Sequence, residues 1–66
     1  MSNLYRLYFL RQGHIIERGD IRAHDDAVAE RVAALASQAS QEEHDHIELW
    51  QGTRSVLSAS RAEKAV

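Results

Sequence analysis

DDAVAERVAALASQA, residues Asp25–Ala39, is the one stretch of this chain long and regular enough to read as a helix. At a period of 3.6, Val28, Val32, Leu35, Ala36 and Ala39 fall on one stripe, with Glu30, Arg31, Ser37 and Gln38 away from it. The stripe is thin, mostly valine and alanine, and predicts a helix over Asp26–Ala39 lying close on a flat apolar surface. An aspartate at the N-cap satisfies free backbone N–H groups, and its charge suits the positive end of the helix dipole. Either Asp25 or Asp26 can take that place. A helix of this length is marginal in water, so it needs a sheet to lie on.

The flanking segments supply one. Leu4–Arg11 (LYRLYFLR) is aromatic and aliphatic with no breaker, and reads as a strand. Tyr5, Leu7 and Phe9 point to one side, and Leu4, Arg6, Tyr8 and Leu10 to the other. Gln12-Gly13 follows as a hairpin turn, since glycine accepts the positive φ such a turn requires. His14–Arg18 returns, Gly19-Asp20 reads as a bend or bulge, and Ile21 resumes extension. A two-residue turn pairs Leu10 with Ile15 and Phe9 with Ile16. A three-residue turn with a glycine bulge would bring Ile15 inward instead. The two-residue turn is preferred because it keeps Leu7, Phe9 and Ile16 on one side.

After the helix, Ser40-Gln41-Glu42-Glu43 reads as a polar loop. His46–Gln51 (HIELWQ) alternates, with Ile47 and Leu49 on one side and His46, Glu48 and Trp50 on the other. Gln51-Gly52 predicts a second two-residue turn, pairing Leu49 with Arg54 and Ile47 with Val56, so that Ile47, Leu49 and Val56 face the helix. Thr53–Ser58 is the fourth strand. The order is β-β-α-β-β, an α+β domain with a four-stranded antiparallel sheet and one helix packed on one face. Residues 1–58 form the single domain and residues 59–66 a flexible C-terminal tail. Strand order within the sheet is left open.

Sixty-six residues make one domain, and a chain of this size buries only about 60% of its unfolded surface. There is no cysteine, which removes disulfides and thiolate zinc sites. Eight Lys/Arg against ten Asp/Glu leave a net charge of −2, and the arginines are spread singly. That argues against a nucleic-acid binder, whose footprint is a basic patch. No leader peptide or membrane span is visible, so the expectation is a cytoplasmic protein.

Taken together, Tyr5–Leu10, Gly13-His14-Ile15, Asp25-Asp26-Ala27 and Glu48–Gly52 give the chain a recognisable look. It resembles a family of short alphaproteobacterial proteins catalogued as a domain of unknown function. The likeness runs from about residue 4 to 58, leaving the tail outside it. It implies the β-β-α-β-β layout and carries no catalytic residue.

Two clusters invite a chemical reading. In Glu42-Glu43-His44-Asp45-His46, histidines at i and i+2 on a strand point the same way, and a nearby carboxylate could complete a Zn²⁺ or Ni²⁺ site. A third ligand is not fixed in sequence, so no metal is predicted, and His44 and His46 are weak candidates only. His24 beside Asp25 and Asp26 has the make-up of an acid–base pair, but capping is the commoner job there. With no nucleophile elbow or glycine-rich phosphate loop, and a substrate pocket hard to build at this size, the expectation is a non-enzyme without cofactor or small-molecule substrate.

The second face of the sheet is more informative. It would display Leu4, Tyr8, Leu10, Ile15, Trp50 and Leu57 among Arg6, Glu17, Glu48 and Ser55. An uncovered antiparallel face normally reads polar, whereas an apolar centre with a charged surround has the make-up of an interaction surface. The predicted contact residues are Arg6, Tyr8, Leu10, Ile15, Trp50 and Leu57. The partner would be a second copy in a homodimer, or another protein. An alternative is single-stranded RNA stacking on Tyr8 and Trp50.

Overall fold

The structure, a computed structural model, describes residues 2–39 and 43–60. Its elements are β1 (Asn3–Arg11), β2 (His14–Ala23), α1 (Asp26–Ala39), β3 (His46–Gln51) and β4 (Arg54–Ser60). The strands form one antiparallel sheet in the order β2-β1-β3-β4. The expected α+β class and element order hold. β2 and β3 both pair with β1, so they run in the same direction. Strands so related cannot be joined by a tight turn, and α1 makes the crossover.

The first hairpin turns at Gln12-Gly13, with φ of 53° and 84°. Positive φ at both central residues is the type I′ pattern, whose twist matches that of the strands. Arg11 pairs with His14 and Leu10 with Ile15, as the two-residue turn predicts. Then the register slips: Phe9 lies opposite Glu17, and Ile16 becomes the extra residue of a bulge. The expected pairing of Phe9 with Ile16 on the core face is therefore wrong, and Ile16 is 46% exposed. The bend expected at Gly19-Asp20 is also absent, since β2 runs through it. The reason is parity. Without the slip, Arg18, Asp20 and Arg22 would face the helix; with it, Ile21 and Ala23 do, and both are buried.

The second hairpin repeats the device. Its turn is Gly52-Thr53, one residue later than expected. Of the two, only Gly52 takes a positive φ, 61°, the type II′ pattern. A shift between Leu49 and Trp50 leaves Val56 as the extra residue, so Leu49 pairs with Leu57 and Ile47 with Ala59. Val56 is half-buried against the core, but Leu57 stands opposite Leu49, where Arg54 was expected, and Ala59 stands opposite Ile47, where Val56 was expected. Ser58 and Ser60 are thereby turned away from the helix. Ala59 and Ser60 belong to β4, so the expected domain boundary at residue 58 falls two residues short. The rest of the expected tail, 61–66, lies outside the described residues.

The core is Tyr5, Leu7 and Phe9 of β1, Ile21 and Ala23 of β2, Ile47 and Leu49 of β3, and Ala29 and Ala33 of α1. The helix is turned about its axis from the expected phase. Ala29 and Ala33 are fully buried, while Val28, Val32 and Leu35 are 38%, 39% and 61% exposed. Two polar anchors on the alanine stripe set this phase. At one end Asp26 accepts the Tyr5 hydroxyl at 2.8 Å; at the other Ser37 lies 2.9 Å from His44 Nε2. Alanines between the anchors let the helix backbone approach the large side chains of β1. Asp25 is the cap, accepting from the Val28 N–H at 3.0 Å.

Candidate functional site

On the face away from α1, β1 carries Leu4, Arg6, Tyr8 and Leu10 along the middle of the sheet. The β1–β2 register sets Arg22, Asp20, Arg18 and Ile15 beside them in turn. The β1–β3 register sets Trp50 beside Arg6, Glu48 beside Tyr8 and His46 beside Leu10. Beyond β3 stand Ser55, Ser58 and Ser60. No described element covers this face. Leu4 is 44% and Ile15 56% exposed, and Tyr8, Leu10 and Trp50 are half-buried among their neighbours.

Arg6, Tyr8, Leu10, Ile15 and Trp50 thus stand together where expected. Leu57 does not: the β4 bulge carries it to the helix side, where it packs against the core. Glu17 moves likewise, because the β2 bulge sets it opposite Phe9. The face carries Leu4, Tyr8 and Leu10 on β1, with Arg6 among them and mostly polar rows on either side.

Those rows are organised. Arg6 Nε reaches Asp20 Oδ1 at 2.9 Å. Trp50 donates its indole N–H to Glu48 at 3.2 Å, and His46 Nε2 lies 3.8 Å from the same carboxylate. The His46 ring also contacts the hydroxyls of Ser58 and Ser60, at 2.9 and 3.2 Å. This polar ladder follows from the second bulge. The parity conflict of Val56 with Ser58 and Ser60 was its signal in the sequence.

The two histidines weighed as metal ligands part company. His44 precedes β3, is 3% exposed, and packs edge-on against Phe9 with ring centroids 4.9 Å apart. His46 points to the opposite face of the sheet. Asp45 between them is held by the first hairpin, its N–H donating to the Leu10 carbonyl at 3.0 Å and its carboxylate accepting from the Gln12 N–H at 3.1 Å. Among the described residues no three His, Asp or Glu side chains converge. His24 is exposed, and its carbonyl accepts from Asn3 at 3.2 Å.

A second polar cluster lies on the helix side. Asp26 accepts two bonds from the Arg54 guanidinium, at 3.0 and 3.1 Å, besides that from Tyr5. Arg54 also reaches Gln51. The Arg54 guanidinium, and after it the Tyr5 hydroxyl, hold the Asp26 carboxyl below its ordinary value. Burial, reinforced by the Asp26 carboxylate, raises the Tyr5 phenol.

Contrary to the expectation that a pocket is hard to build, α1 leaves a cleft on each flank. A helix about 10 Å across spans roughly half of four strands set about 4.8 Å apart. Toward β4 the cleft measures about 340 Å³, with Ser37, His44, Ile47 and Leu57 among its walls. Toward β2 it measures about 530 Å³, floored by Leu7, Phe9 and Ile21 with Glu17 and Glu43 among the polar lining. The Ser37–His44 contact ties the end of α1 to the approach to β3, a link the sequence reading missed. No helix among the described residues is long and apolar enough to cross a membrane.

These features define a two-layer α+β domain whose sheet has one face that no described element covers. Comparison with protein-family models, with curated proteins and with solved structures finds no significant match to the chain.

Proposed function

We propose that the protein is a small non-catalytic interaction module that self-associates through the uncovered face of its sheet. The observation that carries this reading is the row Leu4, Tyr8 and Leu10 on the central strand, with Ile15 and Trp50 beside it and no described element over it. A central strand is where a small domain can least spare apolar surface to water. Tyr and Trp at the middle with charged residues around them is the composition of a contact surface. The Arg6–Asp20 pair and the His46–Glu48–Trp50 ladder hold side chains of the patch in place in advance of contact.

Light scattering coupled to size exclusion tests it. Wild type at micromolar concentration is expected to exceed the 7.5 kDa chain mass. Trp50→Asp is expected to run at the chain mass with an unchanged circular-dichroism spectrum. A wild type that stays at the chain mass, or a Trp50→Asp variant that associates as before, overturns the reading.

One observation favours a second reading. The first bulge gathers Arg18 and Arg22 onto the face that already carries Arg6, Tyr8 and Trp50. Arginines beside sheet aromatics suit single-stranded RNA. Asp20 and Glu48 on the same face and the net charge of −2 rank it second. Salt-dependent binding of a single-stranded RNA oligomer that Tyr8→Ala removes would support it, and no binding at low salt would end it.

A further inference from the structure

We infer that the occupant of the uncovered face is a second copy of this chain, stacked sheet on sheet about a two-fold axis that runs along β1. This rests on the proposed self-association and adds its geometry. Tyr8 sits mid-row on β1, with Arg18 directly beside it on β2 and Glu48 directly beside it on β3. The two opposite charges therefore lie at the same level, one strand to either side of the central row.

A two-fold axis in the interface and along β1 exchanges left and right while keeping level. It sets Arg18 of each copy over Glu48 of the other, twice. The same operation brings Ile15 over His46, and Asp20 over Trp50. An in-plane axis across the strands at the level of Tyr8 would instead set Arg18 over Arg18 and Glu48 over Glu48, and like charges so placed repel. Of the two axes through Tyr8, charge thus favours the one along β1. Arg6 lies near the selected axis and meets its own copy, but each Arg6 is held by its own Asp20 at 2.9 Å. Arg18 makes no ion pair among the described residues.

Size fits. Stacked sheets lie about 10 Å apart, a gap that Tyr, Leu and Arg side chains fill. A standard interface takes about 800 Å² from each partner, which is a modest share of the 4549 Å² surface. The broad side of the 38 × 23 × 17 Å domain is large enough to supply it.

The test is a charge exchange. Arg18→Glu alone and Glu48→Arg alone each place two like-charge contacts in a homodimer, and each is expected to dimerise at least about tenfold more weakly than wild type. An equimolar mixture of the two is expected to regain a dimer, because every cross-contact in the mixed pair is again opposite in sign. The chain carrying both exchanges is expected to regain it too. As a readout independent of charge, mixed Arg18→Cys and Glu48→Cys chains are expected to crosslink through a short bis-maleimide in this cysteine-free sequence. A mixture of Arg18→Cys and Glu48→Cys chains that does not crosslink, or Arg18→Cys chains that crosslink with one another instead, overturns the axis and leaves self-association standing where Trp50→Asp abolishes assembly. A Trp50→Asp variant that assembles normally brings down the underlying reading as well.

Discussion

Tyr5, at the core of β1, donates its hydroxyl to Asp26, the first residue of α1, at 2.8 Å. That bond, with the paired bonds from Arg54 to the same carboxylate, joins β1, β4 and the helix start. It also fixes which side of α1 meets the sheet, since Asp26 heads the stripe that continues through Ala29 and Ala33.

Asp26 is held below its ordinary value of 3.8, so its contribution to stability is complete above about that pH. It is lost as pH falls through the lower folded-state value. Asp26→Asn is expected to lower the melting temperature at pH 7 and to narrow the gap to wild type as the pH is taken down toward 2. Thermal melts across that range check it, and a constant gap would contradict the coupling. Tyr5 is raised above 10.0, so its contribution is complete below that pH and lost only above it.

Gly19 lies opposite Leu7 on the helix side of β2, where a Cβ would meet nothing within 4 Å. It borders the larger cleft beside Leu7, Phe9 and Ile21. Gly19→Val should add strand preference and apolar cover, stabilising the fold by about 1 kcal/mol. Urea unfolding measures this. A loss of stability would show that the cleft is not open to an added side chain.

Gln12 sits at φ 53°, a left-handed conformation that costs most residues about 1 kcal/mol. Asparagine tolerates it better and is preferred before glycine in this turn. Gln12→Asn should therefore stabilise by about 0.5 kcal/mol while leaving the backbone bond to Asp45 in place. A comparison of denaturation midpoints decides it.

Leu57 packs on the core, whereas its neighbour Ser58 stands on the open face. Leu57→Asp is expected to destabilise the monomer by about 2 kcal/mol or more through buried charge. Ser58→Asp should leave the fold intact. Equal effects in denaturant would place Leu57 outside the core and restore it to the contact face.

Much of the fold is legible in the sequence. Alternation in LYRLYFLR and HIELWQ separated Tyr5, Leu7, Phe9, Ile47 and Leu49 from the residues between them, and all five are buried. An aspartate cap and the helix span Asp26–Ala39 followed from local chemistry, while the choice of Asp25 over Asp26 did not. Five of the six predicted contact residues share one face for the same reason: along an unbroken strand, parity is a local property. Leu57 failed because a bulge breaks parity, and a bulge serves the whole sheet rather than its own neighbours. Its trace was present in both hairpins, where Ile16 conflicts in parity with Arg18, Asp20 and Arg22, and Val56 with Ser58 and Ser60.

What the sequence determined by itself is therefore the set of elements and their two-sidedness, which depend on backbone periods and on caps a few residues long. Tertiary structure alone decided the strand order, the rotation of α1 and the parting of His44 from His46. Each depends on contacts between residues far apart in the chain. The helix stripe shows why. Val28, Val32 and Leu35 are the more apolar side, yet hydrogen bonds with Tyr5, Arg54 and His44 hold the alanine side against the sheet.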